Sequence, residues 1–176
     1  LCYRTDEGRL LDRYHARVIF PVQTVSGMTV AFGGRTLSAD KKVAKYVNSP
    51  ESEIYSKSRE LYGLYLAKHA IVKQNRCYLV EGYMDVIAMH QSGIENVVAS
   101  SGTSLTEGQI RLIHRFTDNI TVLYDGDSAG IHASLRGIDM LLAEGLNVKV
   151  LLLPDGDDPD SFARKHSAAD FQNYVE

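Results

Sequence analysis

Thiols are scarce in this chain: Cys2 and Cys77 are its only cysteines, and nothing in their separation resembles metal-ligand spacing. Cys77 opens an apolar run, so no disulfide framework is expected and a reducing, cytoplasmic setting fits best. Long hydrophobic runs are absent too. No stretch approaches the ~18 apolar residues of a membrane span, and no signal peptide is visible. The chain carries no strong excess of either charge. Its formal net charge is -3 over 176 residues, so contact with a polyanion would have to come from a local basic patch. There is no repeat at a fixed period and no low-complexity tract. With 44% hydrophobic and 23% charged residues the composition is that of a globular protein with one ordinary core, or one domain and a smaller lobe. The first residue is Leu1 rather than methionine, and a piece of a longer protein is expected.

Residues 1 to about 47 read as β-rich and irregular. Arg17-Val18-Ile19-Phe20-Pro21-Val22 and Met28-Thr29-Val30-Ala31-Phe32 form a hairpin about the turn Val25-Ser26-Gly27. The stretch from Ser38 to Ser49, with Lys41, Lys42 and Lys45, reads as loop, and Asn48-Ser49-Pro50-Glu51 as a turn. From Lys57 to Lys73, Leu61, Leu64, Tyr65, Ala67, Ala70 and Ile71 recur at helical spacing. Beyond that helix the chain alternates. Strands are expected at 77–81, 96–99, 119–124 and 147–153, and helices at 83–91, 106–116 and 129–144, with short helices near 160–175. Alternation of this kind predicts a parallel sheet with right-handed crossovers.

Three of these strands run into carboxylates. Tyr78-Leu79-Val80 ends on Glu81, with Gly82 as the turn and Asp85 one helical turn later. Ile120-Thr121-Val122-Leu123-Tyr124 leads to Asp125-Gly126-Asp127. Val148 to Leu153 leads to Pro154-Asp155-Gly156-Asp157-Asp158-Pro159-Asp160. The carboxyl ends of parallel strands are where open α/β sheets bind ligands. Like charges ~4 Å apart repel by about 1 kcal/mol in water and by several times more near a protein surface, so such a cluster calls for a cation. Oxygen donors of this kind suit Mg²⁺, which retains waters and substrate phosphates in its shell. Taken singly, each feature has an ordinary reading: Asp-Gly-Asp as a turn, Asp158-Pro159 as a helix cap and first turn, Glu81 as a buried ion pair. Joint occurrence at three strand ends favours the metal. The segment Ser100 to Ser104 lies between a strand and a helix, where backbone N–H groups can hold phosphate, although an ordinary turn with Thr106 or Ser104 as cap is the favoured reading. The six histidines lack ligand spacing. Tyr55, Tyr62 and Tyr65 read as packing residues around one helix.

Glu81-Gly82-Tyr83-Met84-Asp85, Tyr124-Asp125-Gly126-Asp127 and Asp158-Pro159-Asp160 resemble the Toprim signature shared by bacterial primases, topoisomerases, some nucleases and a recombination mediator. The segments Arg17 to Pro21, Phe32-Gly33-Gly34-Arg35, Lys45 to Glu51 and Leu61-Tyr62-Gly63-Leu64 resemble the RNA polymerase domain of bacterial DNA primases in particular. That resemblance implies an α/β fold: a Toprim-type parallel-sheet domain with helices on both faces, preceded by a small β-rich (α+β) subdomain. Residues 1–74 would be the later part of the polymerase core's N-terminal subdomain, 75–155 the Toprim domain and 156–176 the start of a helical segment. Glu81, Asp125 and Asp127 would be catalytic and would hold metal together with Asp158 and Asp160, with Asp85 as a supporting acid. Asp155 and Asp157 would be outer-shell groups. Arg35, Lys45, Asn48 and Lys57 match positions that line the nucleotide and template groove. The resemblance further implies Mg²⁺, with Mn²⁺ able to substitute, and zinc only in an upstream domain that this chain does not include. The implied partners are single-stranded DNA, ribonucleoside triphosphates and the RNA–DNA hybrid, with the replicative helicase engaged through a separate C-terminal domain. The implied setting is the replisome in the bacterial cytoplasm.

Three functions compete on this reading: primer synthesis, DNA cleavage by a topoisomerase- or nuclease-type Toprim protein, and a non-catalytic nucleic-acid-binding module. The motifs before Glu81 favour the first, and the complete acidic set weighs against the third.

Overall fold

The computed structural model describes the backbone of residues 2–102, 104–124 and 128–176, and the side chains of all of these except 128–135 and Asp155. Its centre is a four-stranded parallel sheet in the order β7-β6-β8-β9, built from β6 (Cys77–Val80), β7 (Val97–Ala99), β8 (Asn119–Tyr124) and β9 (Asn147–Leu152). Successive side chains on a strand point to opposite faces. Cys77, Leu79, Val98, Ile120 and Val122 therefore face one way, and pack with α1 (Leu64–Gln74), α3 (Glu107–His114) and α4 (Ser128–Ala143) through Ile71, Ile110, Ile113 and Leu141. Tyr78, Val80, Val97, Ala99 and Leu123 face the other way, toward α2 (Tyr83–Gln91), α5 (Pro159–Lys165) and α6 (Ala168–Val175), through Met89, Phe162, Phe171 and Val175. Near-continuous apolar strands buried on both faces are what a parallel sheet requires. No helix among the described residues is long and apolar enough to cross a membrane.

Ahead of the sheet lie a two-stranded ribbon, β1 (Cys2–Arg4) with β2 (Leu10–Asp12), and a three-stranded antiparallel sheet of β3 (Arg17–Gln23), β4 (Thr29–Thr36) and β5 (Tyr46–Asn48). Register determines what this lobe presents. Phe20 pairs with Gly33, which pairs with Asn48, and Val18 pairs with Arg35, which pairs with Tyr46. Side-chain alternation puts Arg35, Tyr46 and Asn48 on one face. That face packs over the first turn of α2: the Tyr83 ring stacks on Phe20 at 4.9 Å with an interplanar angle of 5°, and Tyr62 meets Tyr83 edge-on at 4.7 Å.

The structure corrects the expected helix at 57–73. α1 begins at Leu64, because Gly63 adopts a left-handed φ of 85° and the residue before it is held in a β-bridge. Tyr62 exchanges backbone hydrogen bonds with Ala99 at 2.9 and 3.0 Å, so it borders β7 rather than continuing the helix. Tyr55 and Tyr62 consequently pack beside the β lobe instead of around α1. The lysine-rich stretch read as loop contains β5, and the ribbon β1–β2 is resolved within the segment read as irregular.

Candidate active site

The site is assembled where β6 ends. Glu81 follows Val80 as an exposed side chain at the sheet's carboxyl edge, and Gly82 caps α2 in extended conformation. Gly82 has no side chain to close the cap, and the opposite half of the motif is present: its N–H donates to Asp85 Oδ2 at 2.9 Å. Buried Asp85 thereby fixes the angle at which α2 leaves the strand and places negative charge at a helix N-terminus, where it is favoured. β8, paired in parallel with β6, reaches the same edge at Tyr124. Asp125 and Asp127 lie outside the described residues. β9 and a short 3₁₀ turn, Pro154–Gly156, carry the chain to Asp158, which caps α5: Ser161 N–H donates to Asp158 Oδ1 at 2.6 Å, with Pro159 in the first turn. The cap and the acidic cluster use the same residue.

A cleft of about 330 Å³ opens between this edge and the β lobe. Glu81, Asp85, Asp158 and Asp160 line its acidic side, and Arg35, Lys45, Tyr46 and Asn48 line the facing side, with Ser101 and Gly102 closing one end. The field of the carboxylates is registered at Tyr46. Burial first, then the negative charges of Asp85, Asp160 and Asp158, push its phenol up, and Arg35 partly offsets them. The Tyr46 ring also lies beneath both cations, 6.0 Å from the Arg35 guanidinium and 5.9 Å from Lys45 Nζ, near the outer limit for a cation–π contact. At the carboxyl end of β8, burial and then Glu81 push the Tyr124 phenol up.

Seven of the residues singled out from the sequence thus share one cleft: Glu81, Asp85, Asp158, Asp160, Arg35, Lys45 and Asn48. Lys57 is not among the lining. It sits in the segment before α1, where its N–H donates to Glu51 Oε1 at 2.7 Å and its carbonyl accepts from Gln109 Nε2 at 3.0 Å. Asp157 turns into α5 instead of the cleft: Lys165 Nζ donates to its Oδ1 at 2.6 Å and Ser161 Oγ at 2.7 Å, and these two contacts hold its carboxyl below the ordinary range. Asp160 is paired along α5 with Arg164. Of the Ser100 to Ser104 segment, Ser101 and Gly102 border the cleft, with φ 58° and 84°. Thr103 lies outside the described residues. Thr106 caps α3, accepting from Gln109 N–H at 3.3 Å.

Among the described residues no three His, Cys, Asp or Glu side chains converge closely enough to hold an ion by themselves. The donors that line the cleft are carboxylate oxygens, which match a hard divalent cation and not a soft one. Glu81, Asp158 and Asp160 are described residues that could each contribute a ligand to such an ion, together with donors beyond these three.

Sequence reasoning missed Tyr46 and Tyr83. Tyr46 falls in a three-residue strand within the segment Lys45 to Glu51, where Lys45 and Asn48 alone were singled out. Tyr83 lies inside the acidic motif, where only the carboxylates drew attention, although a tyrosine opening a helix beside a Gly-Gly strand was a signal for close packing.

A parallel sheet gathering acid at its carboxyl edge, faced by a small antiparallel lobe, defines a Toprim-type α/β protein. A family model described as Toprim-like matches residues 78–163, and one described as the DNA primase catalytic core, N-terminal domain, matches residues 1–68. The chain is 49% identical over 175 residues to a DNA primase of Halalkalibacterium halodurans, covering 99% of this chain and 29% of that protein. Its fold is similar to the Aquifex aeolicus primase solved as zinc-binding and RNA polymerase domains, with TM-score 0.92 and 38% identity over 99% of this chain and 43% of that one. It is also similar to a primase catalytic domain bound to single-stranded DNA, with TM-score 0.89 and 42% identity, covering 99% and 56%. The chain belongs to the bacterial DNA primase family. It spans less than a third of the curated relative's length, and the fold it shares generally implies use of a divalent metal.

Proposed function

We propose that the protein of which this chain is part synthesises short RNA primers on single-stranded DNA by template-directed nucleotidyl transfer, and that the cleft is where the transfer occurs. The carrying observation is the confrontation of Glu81, Asp85, Asp158 and Asp160 with Arg35, Lys45 and Asn48 across one cleft. A carboxylate edge alone would repel a triphosphate, and a basic wall alone would bind it with no place for a counter-cation. The pairing accommodates both.

In this reading Mg²⁺, or Mn²⁺ in its place, is held by Glu81, Asp125, Asp127, Asp158 and Asp160, and when bound it neutralises developing charge on the transferring phosphate. Asp85 supports Glu81 by fixing the strand-to-helix turn. Arg35 and Lys45 neutralise triphosphate or template phosphates, Asn48 orients the nucleotide, and Lys57 meets nucleic acid outside the cleft. The cleft walls hold the ribose hydroxyl and the phosphate in line, where a small misplacement costs on the order of 10²-fold in rate. The chain divides into a part of the core's N-terminal subdomain (1–74), the Toprim sheet (75–155) and the start of a helical segment (156–176). The cores shared by α1, α5, α6 and the sheet tie these parts together. Partners are single-stranded DNA, ribonucleoside triphosphates and the RNA–DNA hybrid, with the replicative helicase and a zinc-binding domain engaged through other parts of the protein. The setting is the bacterial cytoplasm.

The test is template-dependent ribonucleotide incorporation by the full-length parent with Glu81→Gln. A loss of about 10²-fold or more in kcat is expected, the scale of removing one preorganised charge-stabilising group. A variant keeping more than about a tenth of the rate would remove Glu81 from the mechanism.

A further inference from the structure

We propose that Tyr83 is a positioning residue, which acts through the side chain of Asn48 to hold the basic wall of the cleft in register with the acidic edge. The inference rests on the reading of Asn48 as a nucleotide-orienting group.

The Tyr83 hydroxyl donates to Asn48 Oδ1 at 2.9 Å, and the Asn48 amide reaches the carbonyl of Ser101 through Nδ2 at 3.4 Å. Ser101 N–H in turn donates to the carbonyl of Glu81 at 3.1 Å. Tyr83, Asn48, Ser101 and Glu81 therefore form a closed circuit that crosses from α2 to β5, to the loop after β7 and back to the end of β6. Only Gly82 separates Glu81 from Tyr83, so the circuit is anchored at both ends to one turn.

An asparagine amide can be flipped by 180° at little cost, exchanging donor and acceptor. The carbonyl of Ser101 removes that ambiguity: it can only accept, so it takes the amide nitrogen. With Nδ2 committed to that carbonyl, Oδ1 is left to accept, and the Tyr83 O–H donates to it. The amide nitrogen is then turned toward the Ser101–Gly102 end of the cleft. The ring has no freedom of its own: Tyr83 is 3% exposed, stacked on Phe20, met edge-on by Tyr62, and laid against Gly33, where a Cβ would come within 2.5 Å of it. A tyrosine fixed this tightly is a reference point for a neighbouring side chain, and phenylalanine would fill the same space without the hydroxyl.

The test is a double-mutant cycle in the full-length parent with Tyr83→Phe, Asn48→Ala and the pair, reading kcat and the ribonucleotide KM in template-directed incorporation, with thermal melting alongside. Tyr83→Phe keeps the buried ring and its stack, so melting is expected to change little. Asn48→Ala and Tyr83→Phe are each expected to raise KM about five- to tenfold with kcat changed less than about twofold, the scale of one lost hydrogen bond. The pair is expected to match Asn48→Ala alone, because the hydroxyl has nothing left to position. Independent, multiplying effects would overturn the proposal, as would a silent Tyr83→Phe beside an impaired Asn48→Ala. A silent Asn48→Ala would instead remove the reading of Asn48 on which the proposal rests, and the proposal with it.

Discussion

Gly33→Ala should be among the most damaging single-methyl additions in this chain. The added Cβ would lie 2.5 Å from Tyr83 Cζ and 2.6 Å from its hydroxyl oxygen, inside any real contact. Tyr83 cannot retreat, since Phe20 covers one face of its ring and Tyr62 approaches edge-on. Relief must come either from tilting the ring, which breaks the stack and the bond to Asn48, or from moving β4 off α2, which widens the cleft. Overpacking a tight core costs about 1–3 kcal/mol, and a site with both exits closed belongs in the upper half. For a domain of this size each kcal/mol moves Tm by about 2–4 °C, so a loss of about 4–12 °C is expected. Gly137→Ala is the matched control. It lies within α4, and its Cβ would meet Tyr124 Oη at an ordinary 3.5 Å, so the gain in helix propensity, about 0.5–1 kcal/mol, should raise Tm by about 1–4 °C. Thermal melting of both variants followed by circular dichroism reads the difference. A Gly33→Ala protein melting within about 1 °C of the parent, or a Gly137→Ala protein falling as far as Gly33→Ala, would refute the packing argument.

Asp157→Asn should lower Tm at neutral pH, with the gap closing below about pH 4. The native carboxyl titrates below its unfolded value of about 3.9, so its stabilisation is present above that pH and is lost as pH falls through the lower native value. A gap that stays constant from pH 7 to pH 3 would show that the Lys165 contact is not the source. In the full-length parent, Lys45→Ala should weaken template binding with a salt slope smaller by about 1 and should also raise the nucleotide KM, because Lys45 lines the cleft. Lys57→Ala should shift the salt slope alone. Wild-type behaviour of either variant across the salt range would return that lysine to plain solvated surface.

Much of this arrangement was legible because the signals were local. A strand running Tyr78 to Val80, a glycine at 82 and an acid at the third helical position together specify where β6 stops and α2 starts, and Gly82 and Asp85 close that corner with their own hydrogen bond. Asp158-Pro159 likewise reads directly as a cap and first turn. The failures came where tertiary contacts overrode periodicity. Leu61 continues the apolar spacing of α1 and is buried in the same core, yet it is not helical, since Tyr62 is pinned to β7 and Gly63 turns the chain. β5 is three residues long and exists because β4 offers it a partner. Tyr46 faces the carboxylates only because that pairing puts it opposite Arg35, a non-local fact no window of sequence contains.

The most direct test of the metal-centre assignment is a Mn²⁺ titration of the 176-residue chain, followed by calorimetry and by water proton relaxation, beside Glu81→Gln and the double variant Asp125→Asn, Asp127→Asn. Weak binding is expected in the parent, with Kd on the order of a millimolar, as for a hard-cation site that leaves part of its shell to water and substrate phosphate. Glu81→Gln should weaken it and the double variant should abolish it. Titrations of the double variant that superimpose on those of the parent would contradict the assignment of the acidic edge as the metal centre.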